Sequence, residues 1–322
     1  MAEKIDISVV IPVYNEQDFL EMIYRQVVNA LEGKFLFELI FVDDGSADHS
    51  GQILSDIHTR DTRVKVIHFR RNFGQTAAMS AGFDYARGDI IVPVDADGQN
   101  DPADIPALVA KINQGYDIVS GWRKDRKDKT MTRKIPSMIA NWLIARMTGV
   151  YLHDYGCSLK AYRKEIIEKI NLYGEMHRFI PALASWSGAK ITEMEVNHRP
   201  RTTGKANYGL ERIIKVFLDL MTVKFLGSYA TKPIYIFGGL GIFSGLLSFI
   251  CGLVVLYMKF VSSQHLSMNR NPLLLLSAIL IVTTVQLVLM GLLAEMIVRT
   301  YHESQKRPIY VIRNILDAGK TE

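Results

Sequence analysis

The sequence predicts an α/β domain on a mostly parallel sheet, followed by interfacial helices and a two-helix transmembrane hairpin. Three observations carry that expectation. Strand-like and helix-like segments alternate through residues 5–121, the order that lays parallel strands side by side under helices. Polar residues and glycines gather where the apolar runs end, and open α/β sheets bind ligands beyond the carboxyl ends of their strands. Residues 233–258 and 271–294 contain no Asp, Glu, Lys or Arg.

Residues 7–13 are apolar and rich in β-branched side chains, the composition of a buried strand. Residues 16–31 return their apolar positions with helical period, and 37–42 form a second apolar run. Residues 48–57 read as helix with Asp48 as its cap. Residues 64–69 alternate as a strand, 75–86 are an Ala-rich helix, and 90–94 are a short buried strand. Pro102 opens a helix over 102–112, a first-turn position that proline tolerates, and 118–119 begin another strand. No Gly-x-Gly-x-x-Gly follows the first strand, so the dinucleotide fingerprint is missing.

Residues 123–134 are dense in Lys and Arg and read as a charged loop. Residues 135–147 and 210–226 are amphipathic. Such faces often pack on a core; with Trp142 and cationic flanks upstream of the hairpin, they are expected in the membrane interface. As helices the two charge-free stretches would be ~36–39 Å long against a hydrocarbon core of ~30 Å. Gly241 and Gly245 form a small-xxx-small pair inside the first.

Charge sets the expected orientation. The loop 259–270 carries Lys259, His265 and Arg270. Outside the hairpin stand Lys215, Lys224, Lys232, Arg299, Lys306, Arg307 and Arg313. The positive-inside rule therefore puts the α/β domain and both termini in the cytoplasm, an integral inner-membrane protein with two spans. The first apolar run is too short for a signal peptide. Cys157 and Cys251 are the only cysteines, which excludes a disulfide framework. The net charge of +5 suits an anionic membrane face, and no basic stripe interleaved with aromatics points to nucleic acid.

Chemistry concentrates after the strand at 90–94, in Asp95-Ala96-Asp97-Gly98-Gln99. Carboxylates spaced i, i+2 at a strand end can converge on one point, and hard oxygen ligands suit Mg²⁺ or Mn²⁺. Asp-x-Asp is also common in plain turns. Its position behind a buried strand favours the metal. His153 beside Asp154 has no partner at zinc-ligand spacing, so no zinc site is expected.

Pro12-Val13-Tyr14-Asn15-Glu16, Asp43-Asp44-Gly45-Ser46, Arg71-Asn72-Phe73-Gly74 and Asp95-Ala96-Asp97-Gly98-Gln99 together resemble the GT-A glycosyltransferases of family 2. Asp154-Tyr155-Gly156-Cys157, Arg201-Thr202-Thr203-Gly204 and the hairpin narrow the resemblance to polyprenyl-phosphate sugar transferases. That group includes bactoprenol glucosyltransferases, undecaprenyl-phosphate aminoarabinose transferases and dolichol-phosphate mannose synthases. The resemblance implies a GT-A domain over 1–209, an interfacial helix over 210–232, a hairpin over 233–298 (spans about 233–258 and 272–297) and a cytoplasmic tail over 299–322.

It also implies inverting transfer of one sugar from a nucleotide-diphosphate sugar, UDP favoured, onto a polyprenyl phosphate. Pro12, Tyr14, Glu16, Asp43, Asp44 and Ala96 match nucleotide-sugar positions, and Asp95, Asp97 and Gln99 match metal positions. Arg123, Arg126, Arg133, Ser137, Arg201 and Lys205 are available to the acceptor phosphate; Asp95, Asp97, Asp154 and Arg201 are the expected catalytic set. A phosphate monoester has its second pKa near ~6 and is largely dianionic at neutral pH. It needs no strong base, so Asp154 is expected to orient a cation or the acceptor. Relatives imply a homo-oligomer.

One departure stands out. The group often reads Arg-x-x-Gly-x-Ser-Lys-Tyr, whereas this chain has Ala206 and Asn207 at the Ser and Lys positions, with Lys205 just before. The alternatives are a processive polysaccharide synthase and a GDP-mannose-using dolichyl-phosphate mannosyltransferase. The first calls for a longer bundle of spans and a Gln-x-x-Arg-Trp motif, and this chain has neither. A scaffold that only kept the fold would lose the metal and phosphate ligands, which are present.

Overall fold

The structure, a computed structural model, describes residues 4–124, 144–146, 148–170, 172, 176–199, 234–260, 271–304 and 309–317. It divides into two compact units, Met1–Val223 with Pro308–Glu322, and Lys224–Arg307. The expected interfacial helices over 135–147 and 210–232 lie outside the described residues, apart from a helical piece at 144–146.

The first unit is built on a sheet of eight strands among the described residues: β1 (Ile7–Val13), β2 (Phe37–Asp43), β3 (Val64–Phe69), β4 (Ile90–Pro93), β5 (Ile118–Trp122), β6 (Lys160–Arg163), β7 (Ile191–Glu195) and β8 (Ile312–Leu316). Their order is β7-β5-β6-β4-β1-β2-β3-β8. β1, β2, β3 and β4 run parallel, as do β5 and β7, while β6 and β8 are antiparallel to their neighbours. The chain thus moves outward from β1 through β2 to β3 and then crosses to β4 on the other side of β1. That reversal opens a crevice between the ends of β1 and β4.

The helices are α1 (Leu20–Leu31), α2 (Ser50–Arg60), α3 (Gln75–Asp84), α4 (Ile105–Asn113), α5 (Lys164–Ile167) and α6 (Ile180–Trp186). Expected and observed elements differ at their ends. α1 begins at Leu20 rather than Glu16, because residues 15–17 are tied sideways to the loop after β2. The segment from 102 opens as a 3₁₀ turn, with the Asp101 carboxylate accepting from Ala103 N. β8 lies within the segment expected as a cytoplasmic tail; its five residues alternate too weakly to stand out, and pairing with β3 makes it a strand.

The strands bury both faces, with Ile7, Val9, Val10, Ile11, Leu39, Ile40, Phe41 and Val42 all at 0 % exposure. Polar groups of β1, β2 and β3 pair across the sheet. Ser8 and Glu38 are register partners, Ser8 Oγ donates to Glu38 Oε1 at 2.6 Å, and Lys65 Nζ stands 3.7 Å from Glu38 Oε2. α3 lies close on β1 where its buried residues are small, Gly82 meeting Val10, with Ala77, Ala78 and Ala81 also buried.

The second unit holds α7 (Ile234–Phe260) and α8 (Pro272–Ser304). Phe237–Phe260 and Pro272–Ala294 are long and apolar enough to cross a membrane, with mean hydropathy of 2.3 and 2.6. They meet through small and hydroxyl residues. Gly241 faces Val288 and Thr284, Gly245 faces Thr284, and Ser248 Oγ donates to Ser277 O at 2.8 Å. Large apolar side chains such as Phe243 and Phe249 are exposed.

A Cβ at Gly82 would sit 2.1 Å from Val10 Cγ1. Gly82→Ala is therefore expected to destabilise the domain by about 1–3 kcal/mol, the usual cost of overpacking. Adding Val10→Ala should restore most of that loss; thermal unfolding of the two variants checks both.

Candidate active site

Two backbone hydrogen bonds hang the site from β1. Val94 N donates to Val10 O at 2.9 Å and Asp44 N to Val13 O at 2.9 Å, so the segments after β4 and β2 leave the sheet side by side. Proline at 12 and 93 suits strand ends, where no ladder N–H is needed. Beyond these ends an open cleft of about 330 Å³ is lined by Pro12, Val13, Tyr14, Glu16, Asp44, Asn72, Gly74, Gln75, Ala78, Asp95, Ala96 and Asp97. It occupies the crevice between β1 and β4.

One wall is stitched from two loops. Asn15 adopts a left-handed conformation at φ 55, the only non-glycine residue among those described to do so. Its N–H donates to Ser46 Oγ at 3.0 Å, and its Oδ1 accepts from Ala47 N at 2.8 Å. This leaves Tyr14 half exposed at the rim. The neighbouring aspartates then separate. Asp44 lines the cleft and accepts from Phe73 N at 2.6 Å and Gly74 N at 2.9 Å; burial still raises its pKa. Asp43 is not among the lining residues. Its oxygens are taken by Ser46 N at 2.9 Å and His68 Nδ1 at 2.9 Å, and although burial pushes its carboxyl up, these bonds hold it below the ordinary value.

The opposite wall carries the carboxylate pair. Burial raises the Asp95 pKa, and the charge of Asp97 adds to that. Asp95 Oδ1 accepts from Gln75 Nε2 at 2.8 Å, at the first turn of α3. Ser158 also bonds to Asp95 and accepts from Asn100 Nδ2 at 2.8 Å. Asp97 Oδ1 accepts from Gln99 N at 3.1 Å; Gln99 itself is not a lining residue. Among the described residues no group of three or more His, Cys, Asp or Glu could hold a metal. The donor set is a carboxylate pair open to the cleft. That fits Mg²⁺ or Mn²⁺, which complete their shells with water and substrate phosphate oxygens.

Behind the pair lies a second charged layer. Arg123 binds Asp154 through both ends of its fork, Nε to Oδ2 at 2.6 Å and Nη2 to Oδ1 at 2.9 Å. Asp154 also accepts from Gly156 N at 3.1 Å. Lys160, 3 % exposed at the start of β6, donates to the carbonyls of Tyr155 (3.3 Å) and Cys157. Burial lowers its pKa, while the charges of Asp154 and Asp95 oppose that fall. Cys157 is fully buried, and burial pushes its thiol up. Arg126, Arg133, Ser137, Arg201 and Lys205 lie outside the described residues. Sequence reasoning passed over Gln75, Ser158 and Lys160. Lys160, Gln75 and Ser158 carry no local signal: Lys160 opens a short strand that also ends in a cation, Arg163.

Because the Asp95 pKa is raised in the folded state, its ionised form opposes folding at neutral pH, and the penalty fades as pH falls through the folded value. Asp95→Asn is expected to raise the melting temperature of the metal-free protein at pH 7. The gain should shrink on acidification; an unchanged or lower value at pH 7 contradicts it.

The family model described as Glycosyl transferase family 2 matches residues 8–171. The chain is 41 % identical over 320 residues to dodecaprenyl-phosphate galacturonate synthase of Rhizobium johnstonii, covering 98 % of this chain and 94 % of that protein. It is 37 % identical to undecaprenyl-phosphate 4-deoxy-4-formamido-L-arabinose transferase of Edwardsiella ictaluri, covering 98 % and 96 %. Among solved structures, glucosyl-3-phosphoglycerate synthase of Mycobacterium tuberculosis, in complex with Mn²⁺, UDP-glucose and phosphoglyceric acid, aligns with a TM-score of 0.53 at 18 % identity, covering 69 % of this chain and 79 % of that one. The family match across the strands that carry the cleft, and relatives alike over nearly the whole chain, make this protein a member of glycosyltransferase family 2 with a GT-A-like catalytic domain.

Proposed function

We propose that this enzyme moves a single sugar from a nucleoside-diphosphate donor, UDP favoured, onto a polyprenyl phosphate. The observation that carries the reading is the Asp95–Asp97 pair opening into a cleft that Pro12, Tyr14, Glu16 and Asp44 also line. The relatives support the acceptor class, since both are named for a polyprenyl phosphate. The solved neighbours with Mn²⁺ or Mg²⁺ support a divalent ion.

Tyr14 offers a flat face to the base at the cleft rim, and Asp44 offers a carboxylate to donor hydroxyls. Asp95 and Asp97, with Gln99 beside them, would hold a divalent ion. When bound, that ion neutralises charge on the leaving diphosphate. The anomeric C1–O bond breaks toward the diphosphate, and an acceptor phosphate oxygen forms the new bond on the opposite face, inverting the centre. The acceptor is already dianionic, so no group need remove a proton. Asp154 accordingly keeps Arg123 in place instead of acting as a base, and Arg123 presents its remaining N–H groups to phosphate. Arg126, Arg133, Ser137, Arg201 and Lys205 complete the acceptor side in this proposal.

The hairpin anchors the enzyme in the cytoplasmic membrane with the catalytic domain and both termini inside. Connectivity supports this topology: the chain leaves the first unit before α7 and re-enters it as β8 after α8, which requires an even number of crossings. Assembly as a homo-oligomer belongs to the same proposal.

Membranes incubated with polyprenyl phosphate, Mg²⁺ or Mn²⁺ and labelled nucleotide sugars, UDP-galacturonate and UDP-4-deoxy-4-formamido-arabinose included, should yield organic-extractable label from one donor. EDTA should abolish it, and Asp97→Asn should lower turnover by about 100-fold or more while the protein stays folded. Full turnover in EDTA or in that variant removes the metal from the mechanism. A cysteine placed at Ser262 should react with an impermeant thiol reagent in intact spheroplasts, and one at Lys4 only after lysis; the reverse pattern overturns the topology.

A further inference from the structure

The segment leading into β8 brings an aromatic residue to the back of the cleft wall. Tyr310, 7 % exposed, stacks on Phe69 at 5.2 Å with the rings 10° from parallel. Phe69 meets Phe73 edge-on at 5.7 Å, and Arg71 lies 4.2 Å over the Phe73 ring. The Tyr310 hydroxyl donates to Asp84 Oδ2 at 2.7 Å at the end of α3, and Arg70 N donates to Val311 O at 3.1 Å. The loop 70–74 is therefore gripped from both sides. On its inner side Asp44 holds the N–H groups of Phe73 and Gly74; on its outer side stands Tyr310. That loop supplies Asn72 and Gly74 to the cleft and leads into Gln75, which holds Asp95.

We propose that Tyr310, though it touches no substrate, is a positioning residue for the donor cleft: its ring fixes the loop 70–74 and, through α3, the Gln75–Asp95 contact. The proposal rests on reading that cleft as the nucleotide-sugar site. The other end of β8 supplies the control. Asp317 pairs with Lys65 at 3.4 Å and with Arg87, joins β8 to the sheet, and is not a cleft-lining residue. A tail that merely completed the sheet would make both ends equivalent.

The test uses the full-length enzyme in detergent with UDP binding, donor and acceptor KM, kcat and melting temperature measured together. Tyr310→Ala is expected to raise donor KM and the UDP Kd about five-fold, the size of one aromatic pair, with kcat and acceptor KM within about two-fold. Tyr310→Phe keeps the ring and should bind UDP nearly as wild type does. Tyr310→Leu, which keeps apolar volume without the stack, should behave as Tyr310→Ala and serves if that variant does not accumulate. Asp317→Ala should lower the melting temperature and leave donor KM alone. Wild-type donor KM in Tyr310→Ala or Tyr310→Leu, or an equal rise in Asp317→Ala, overturns the proposal. If UDP binding is lost in Asp44→Ala yet unchanged in Tyr310→Ala, only the positioning role falls. If wild type binds neither UDP nor GDP, or Asp44→Ala binds the nucleotide normally, the cleft reading falls and the proposal with it.

Discussion

Two carboxylates of like charge held together at the end of one strand are the constraint on which the rest of this structure turns. Burial raises the cost of ionising Asp95, and the charge of Asp97 beside it raises that cost further. Such a pair drifts apart unless other groups fix it. Here Val94 is tied to β1, Gln75 and Ser158 bind Asp95, and Gln99 N binds Asp97. The strain is local and is the kind a divalent ion relieves. The sheet supplies the place, because strands on either side of the reversal diverge and leave room between β1 and β4.

Much of the parallel core was legible because strands buried on both faces read as unbroken apolar runs, as in 7–13 and 37–42. The hairpin was legible for a similar reason: a long charge-free helix has few alternatives. Element ends were less so. α1 starts four residues late because Asn15, Glu16 and Gln17 spend their N–H groups on Ser46, Ser50 and Asp48, partners some thirty residues away. β8 was missed since nothing in Ile312–Leu316 marks a strand apart from the edge of β3 that receives it.

Within the candidate site, residue types at strand ends pointed to the segments that line the cleft, and side-chain direction did not follow from them. Asp43 and Asp44 are adjacent, yet one turns to His68 and the other to the cleft. Consecutive residues at a strand end project oppositely, and no motif says which points inward. Lys160 and Gln75 illustrate the other gap. Each matters through partners brought in by the fold, the carbonyls of Tyr155 and Cys157 in one case and Asp95 in the other.

The return of the chain to β3 after α8 also fixes an order of events in synthesis. Residues 234–304 leave the ribosome before 312–316, and domains fold broadly from the N-terminus as they emerge. Until the apolar pair has been made, the edge of β3 stands open and the ring of Phe69 lacks its cover. Completion of the catalytic domain thereby waits on synthesis of both apolar helices, and a chain cut short before residue 312 carries an unfinished sheet.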